Sequence, residues 1–172
     1  MRFITKCGKT IVVPQKALSH LKAHPEVGSI LPEIIRRITL PLDSSFLSTE
    51  VEMERIVGRS GRISTSEINL NEKTLFALRV ERDRPSRVVM GQGEETTKVS
   101  VLAFSAQNED DTYVLITSWV GTLAPREPWD KMIKTPGEFQ NCLQFWRSNA
   151  LSYDSSIMGE PFESTWEEVL KT

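Results

Sequence analysis

An α+β fold is expected from three observations. Apolar residues recur at helical spacing between residues 14 and 38, the pattern changes to a period of two from residue 48, and helical spacing returns after residue 136. The expected arrangement is two N-terminal helices followed by an antiparallel sheet of about four to six strands, with C-terminal helices, all helices packing on one face of the sheet. Residues 1–130 read as an α+β core domain and 131–172 as a helical C-terminal extension packed on it.

The elements follow in chain order. Phe3 to Thr5 and Thr10 to Val13 read as short strands around a turn at Gly8. Pro14 suits a helix first turn, where its missing N–H would have no partner in any case. Ala17, Leu18 and Leu21 then form an apolar stripe on a helix as far as Ala23. Pro25 reads as its stop, since a residue before proline is biased away from helix. Ser29 reads as the cap of a second helix, whose apolar face is Ile30, Ile34, Ile35 and Ile38. Pro41 and the polar residues after it break that pattern.

STEVEMERIV, from Ser48 to Val57, alternates between apolar and acidic residues and predicts a strand with one solvated face. Gly58 to Gly61 reads as a turn. Thr74 to Glu81, Ser86 to Met90, Val99 to Ala106 and Tyr113 to Val120 are the further strands, the last two joined by the polar loop Asn108 to Asp111. Pro136 opens a helix with Phe139, Leu143 and Trp146 on one face. Ser164 and Glu167 have the spacing of a capping box.

Bulk properties narrow the function classes. A chain of 172 residues buries a core without covalent staples. A net charge of -2 gives no global basic field of the kind that announces nucleic acid. Charge is uneven, however, and RVERDRPSR from Arg79 to Arg87 predicts a local basic patch. Cys7 and Cys142, with no CxxC spacing, argue against a zinc site and a disulfide scaffold and suit a reducing, cytoplasmic setting. No apolar run reaches the ~18 residues of a membrane helix, so no membrane partner is expected. P-loop, GxGxxG and GxSxG motifs are missing, and no cofactor is expected.

His20 and His24, the only histidines, are four apart and share a helix face. Imidazole titrates near neutrality and moves protons there. HLKAH lacks the glutamate of HExxH, so no metal is expected. The plainer reading is two solvated histidines on an amphipathic helix. Arg79, Arg82 and Arg87 have the planar fork that clamps a phosphate, and Arg59 lies in the basic GRSGR stretch. Their plainer role is to pair with nearby acids such as Glu81 and Asp83. Thr117 and Ser118 interrupt an apolar strand, and one must face opposite to the other. Each is either bonded to backbone or placed to meet a phosphate oxygen. Trp119 and Trp129 are packing residues or platforms for a nucleobase.

This arrangement resembles the barnase/EndoU/colicin/RelE-like superfamily of ribonuclease toxins. The residues that carry the resemblance are His20 or His24 in LSHLKAHPE, Arg79 in FALRVE, and Thr117 or Ser118 in LITSW. It spans Ala17 to Asp130, and the residues from Lys131 have no counterpart in it. The resemblance implies metal-independent cleavage of RNA. A base takes the 2′-hydroxyl proton and that oxygen attacks phosphorus, leaving a cyclic phosphate and a free 5′-hydroxyl. His20 or His24 would be base or acid, Arg79 the phosphate clamp, and Thr117 or Ser118 the positioning hydroxyl. The acidic net charge departs from the basic character of many RNA-cleaving toxins.

The alternative is a non-enzymatic interaction module, an immunity or accessory protein. Glu50, Glu52 and Glu54 would meet a basic protein partner. An enzyme requires histidine, arginine and hydroxyl to converge in one cleft, whereas a module requires only an exposed acidic or apolar patch.

Overall fold

The computed structural model describes residues 1–22, 25–39, 45–65, 74–79, 84–90, 93–106, 111–128 and 130–153, with backbone alone for 74–79, 84–90 and 153. His24, Arg82, Trp129 and the capping box at Ser164 lie outside the described residues. Contacts gather the chain into two units, neither continuous in sequence: Met1–Arg59 with Glu95–Leu123, and Ser60–Glu94 with Ala124–Thr172. The partition expected at residue 130 follows chain order, which this one does not.

The first unit is built on a five-stranded sheet. Its strands are β1 (Arg2–Ile4), β2 (Thr10–Val12), β3 (Phe46–Glu52), β9 (Lys98–Ser105) and β10 (Thr112–Val120), in the order β1-β2-β10-β9-β3. A short ladder of β4 (Gly58–Arg59) with β8 (Glu95–Thr96) stands beside it. Two expectations are corrected here. Strands β1 and β2 precede the helices, so the order is not helix-first. The sheet is also mixed, because β2 runs parallel to β10 while the other three pairings are antiparallel. The hairpin that carries β2 turns at Gly8, whose φ of 83° suits glycine. It returns through the Thr5 N–H donating to the Lys9 carbonyl at 2.8 Å.

Two helices cover one face of this sheet. In α1 (Gln15–Leu21), Ala17 and Leu21 are buried, four residues apart on one stripe. In α2 (Pro25–Arg37), Val27, Leu31, Ile34 and Ile35 are buried at the same spacing. Pro25, expected to stop a helix, instead begins one, in the first-turn position that tolerates its missing N–H. Ser29, expected as a cap, sits inside α2 with its hydroxyl on the Glu26 carbonyl. The helix residues join Ile11, Val13, Leu47, Val51, Val99, Val101, Ala103, Tyr113, Leu115 and Val120 in one core. Complete burial of each larger apolar side chain contributes about 1.5–3 kcal/mol, so this cluster fixes which sheet face the helices take.

The second unit has a four-stranded sheet of β5 (Arg62–Ser64), β11 (Asn149–Tyr153), β7 (Arg84–Met90) and β6 (Thr74–Arg79), in the order β5-β11-β7-β6. The helix α3 (Pro136–Ser148) leads directly into β11. Its start is closed by a capping box. The Thr135 hydroxyl accepts from the Glu138 N–H at 3.2 Å, and the Glu138 carboxylate accepts from the Thr135 N–H at 3.3 Å. Cys142, Leu143 and Trp146 form its buried side, and the Trp146 indole donates to the Arg126 carbonyl at 3.1 Å.

Candidate functional site on the open sheet face

Register places Thr117 and Ser118 on opposite faces of the first unit's sheet. Across β3, β9 and β10, directly paired residues form rows that alternate between the two faces. Leu47, Ala103 and Leu115 make one row, Thr49, Val101 and Ser118 another, and Val51, Val99 and Val120 a third. These rows meet the helices, since most of their members belong to the core. The intervening rows are Phe46 with Phe104 and Val114, Ser48 with Leu102 and Thr117, and Glu50 with Ser100 and Trp119. They form the open face. A register shift between Leu115 and Thr117 makes Ile116 an extra residue there, 42% exposed.

The expected site residues separate accordingly. Ser118 is fully buried, and its hydroxyl donates to the Ser100 carbonyl at 2.8 Å. That is the backbone-bonded role. Thr117 and Trp119 are half-buried on the open face, two residues apart. The Trp119 indole N–H approaches the Thr122 carbonyl at 3.4 Å. His20 is exposed on the last turn of α1, and that helix packs on the covered face. His20 and Thr117 therefore stand on opposite sides of the sheet and do not converge.

The arginines divide as well. Arg59, expected in a flexible turn, lies in strand β4 and is ion-paired with Glu95 at 3.0 Å. Arg79 ends β6 in the other unit, at the register position opposite Arg84, the first residue of β7, and Arg87 pairs in register with Phe76. Among the described residues no group of three or more His, Cys, Asp and Glu side chains is placed to hold a metal ion. No helix among them is long and apolar enough to cross a membrane.

Sequence reasoning missed the aromatic row of the open face. Phe46 and Phe104 are directly paired across β3 and β9, 48% and 44% exposed. Alternation was legible in both strands, but not which residues of different strands would share a row. The acidic residues of the same face are engaged. Glu50 accepts from the Leu123 N–H at 2.7 Å and lies 3.5 Å from the Lys98 ammonium. Glu52 accepts from the Thr97 hydroxyl. Glu54, beyond the strand, pairs with Arg37 at 3.1 Å.

Comparison of the chain with protein-family models, curated proteins and solved structures finds no match.

Proposed function

We propose that this chain is a metal-independent ribonuclease that receives single-stranded RNA on the open face of its five-stranded sheet. One observation carries the reading: Thr117 and Trp119 share that face with the exposed Phe46–Phe104 pair. Unpaired bases stack on aromatic rings irrespective of sequence, and a hydroxyl between such rings meets the sugar-phosphate backbone. The carboxylate of Glu50, which would repel phosphate, is offset by Lys98 and bonded to the Leu123 N–H. Thr117 takes the positioning role and Ser118 does not. The resemblance gives the base role to His20 or His24, and His20 does not share this face. Arg79, the clamp that the resemblance implies, ends β6 in the other unit, so the binding half of this reading rests on Thr117 and the aromatic row alone.

Fluorescence anisotropy with labelled RNA tests the binding half of this reading. A single strand is expected to bind and its duplex to bind more weakly, with affinity falling as salt rises. Phe104→Ser is expected to weaken single-strand binding about tenfold, the loss of one stacked base. Equal binding of duplex and single strand, or binding of neither at low salt, would remove the reading.

A second reading has its own observation. Ile4, Phe46, Phe104 and Ile116, the exposed large apolar residues of the five strands, all lie outside the core, and register puts Ile4 and both phenylalanines on the open face. An apolar patch of this kind suits a protein partner such as an antitoxin or immunity protein. The glutamates expected to attract that partner are engaged within the fold, so the contact would be apolar rather than acidic. If no RNA binds, this is the reading that remains.

A further inference from the structure

A second feature of the first unit shares only Glu50 and Glu52 with the open face. A cleft of about 350 Å³ is bounded by the end of α2, the two residues after it, strand β3 and Lys6. Three cationic side chains line it, Lys6, Arg36 and Arg37, together with the hydroxyl residues Thr39 and Thr49. Arg37 is already held by Glu33 at 3.4 Å and by Glu54 at 3.1 Å. Among the described residues, Lys6 and Arg36 have no carboxylate partner. Glu50 and Glu52 also border the cleft. Their row of β3 belongs to the opposite sheet face, whereas Thr49 and Val51 belong to the helix-covered rows. Lys98 offsets the charge of Glu50, while Glu52 accepts from the uncharged Thr97 hydroxyl and keeps its charge.

We infer that this cleft is a phosphate-binding site, with Arg36 and Lys6 supplying the charge and Thr39 a hydroxyl donor. A guanidinium fork and an ammonium on a cleft of this size suit one phosphate group carrying a modest substituent. The phosphate belongs either to a small phosphorylated molecule or to a nucleic-acid backbone. The inference does not depend on cleavage or on the open face.

Amide chemical-shift titration of the full chain with inorganic phosphate, adenosine monophosphate and oligouridylate, at fixed ionic strength, is the test. Saturable shifts centred on Lys6, Arg36, Thr39 and Thr49 are expected. Arg36→Ala and Lys6→Ala should each weaken the binding roughly tenfold, the loss of one charge-assisted contact. Lys16→Ala, which removes a cation on α1, should leave it unchanged. Binding of phosphate and the monophosphate but not the oligonucleotide assigns the site to a small molecule. Binding of the oligonucleotide alone assigns it to a nucleic-acid backbone. Shifts that do not saturate, that scatter over all cationic residues, or that respond to Lys16→Ala as much as to Arg36→Ala overturn the inference.

Discussion

The Ser118 hydroxyl donates to the carbonyl of Ser100 at 2.8 Å, with both residues completely buried. The Ser100 hydroxyl in turn donates to the Gly121 carbonyl, also at 2.8 Å. The relay joins β10, β9 and the turn that follows β10, and Gly121 at φ 115° makes that turn accessible. Ser118→Ala is expected to cost about 1–2 kcal/mol, because it removes a buried donor from a carbonyl that water cannot reach. Urea unfolding reads this as a lower midpoint with unchanged slope. RNA binding should be retained where the variant is folded.

Thr117→Val should show the converse. Its side chain is on the open face in the row of Ser48 and Leu102, so the isosteric change removes a hydroxyl without opening a core cavity. Stability is expected to stay within about 0.5 kcal/mol of the parent, while RNA binding or cleavage falls. Equal loss of stability in Thr117→Val and Ser118→Ala would contradict the assignment of faces.

Gly93→Ala should damage the second unit. A Cβ on Gly93 would lie 1.5 Å from the Ser60 carbonyl oxygen, and that obstacle is backbone rather than a flexible side chain. The two segments are tied at this crossing by the Ser60 N–H donating to the Glu94 carbonyl at 2.8 Å. The expected cost is about 3 kcal/mol, the upper range for overpacking. Limited proteolysis should then cut the variant faster than the parent.

Acid stability should depend in part on Glu33. The hydrogen-bonded Arg55 guanidinium holds its carboxyl below the ordinary value of 4.5, helped by the charge of Arg37. The contact is a two-point fork, at 2.9 Å and 2.7 Å. A carboxyl whose folded pKa is depressed contributes stability above its unfolded pKa and loses it as pH falls through the folded value. Glu33→Gln should therefore differ from the parent at neutral pH and converge with it in acid. A difference that persists unchanged below that window would contradict the ion-pair account. Both groups are near the surface, so high salt should shrink the difference.

Thr135→Ala should destabilise α3 by about 1 kcal/mol, as loss of a helix cap does. The lowered carboxyl of Glu138 has its first cause in the Lys134 N–H and a further one in the Thr135 N–H. The pH dependence of the second unit should therefore change more with Glu138→Gln than with Thr135→Ala. A thermal melt of each variant at two pH values separates the effects.

How far the sequence revealed this fold can be followed residue by residue. Ala17 and Leu21 marked α1, Pro136 marked the start of α3, and alternation placed β9 and β10 within a residue or two at most ends. Alternation also required Thr117 and Ser118 to separate. It did not tell which would be buried, because Ile116 is a bulge that shifts the count by one. Pro25 has the same local chemistry at a helix stop and a helix start, and only packing of Val27 and Leu31 decided between them. The parallel insertion of β2 beside β10 joins residues about a hundred positions apart, and no local period encodes such a partner. GRSGR looked like a turn, yet Arg59 has Glu95 opposite it in a two-residue ladder. His20 and Thr117 met in the sequence pattern but not in space, since helical period reports a face of the helix and not a face of the sheet.

Cleavage of single-stranded RNA in excess chelator is the most direct test of the central claim, with His20→Ala, His24→Ala, Arg79→Ala and Thr117→Val measured beside the parent. The account predicts cleavage by the parent that leaves cyclic phosphate ends, a reduced rate in Thr117→Val and a near-parental rate in His20→Ala, while loss in His24→Ala or Arg79→Ala would give those residues the base and clamp roles that the resemblance implies. No cleavage by the parent above a protein-free control, or loss of activity in His20→Ala with Thr117→Val unaffected, would contradict it.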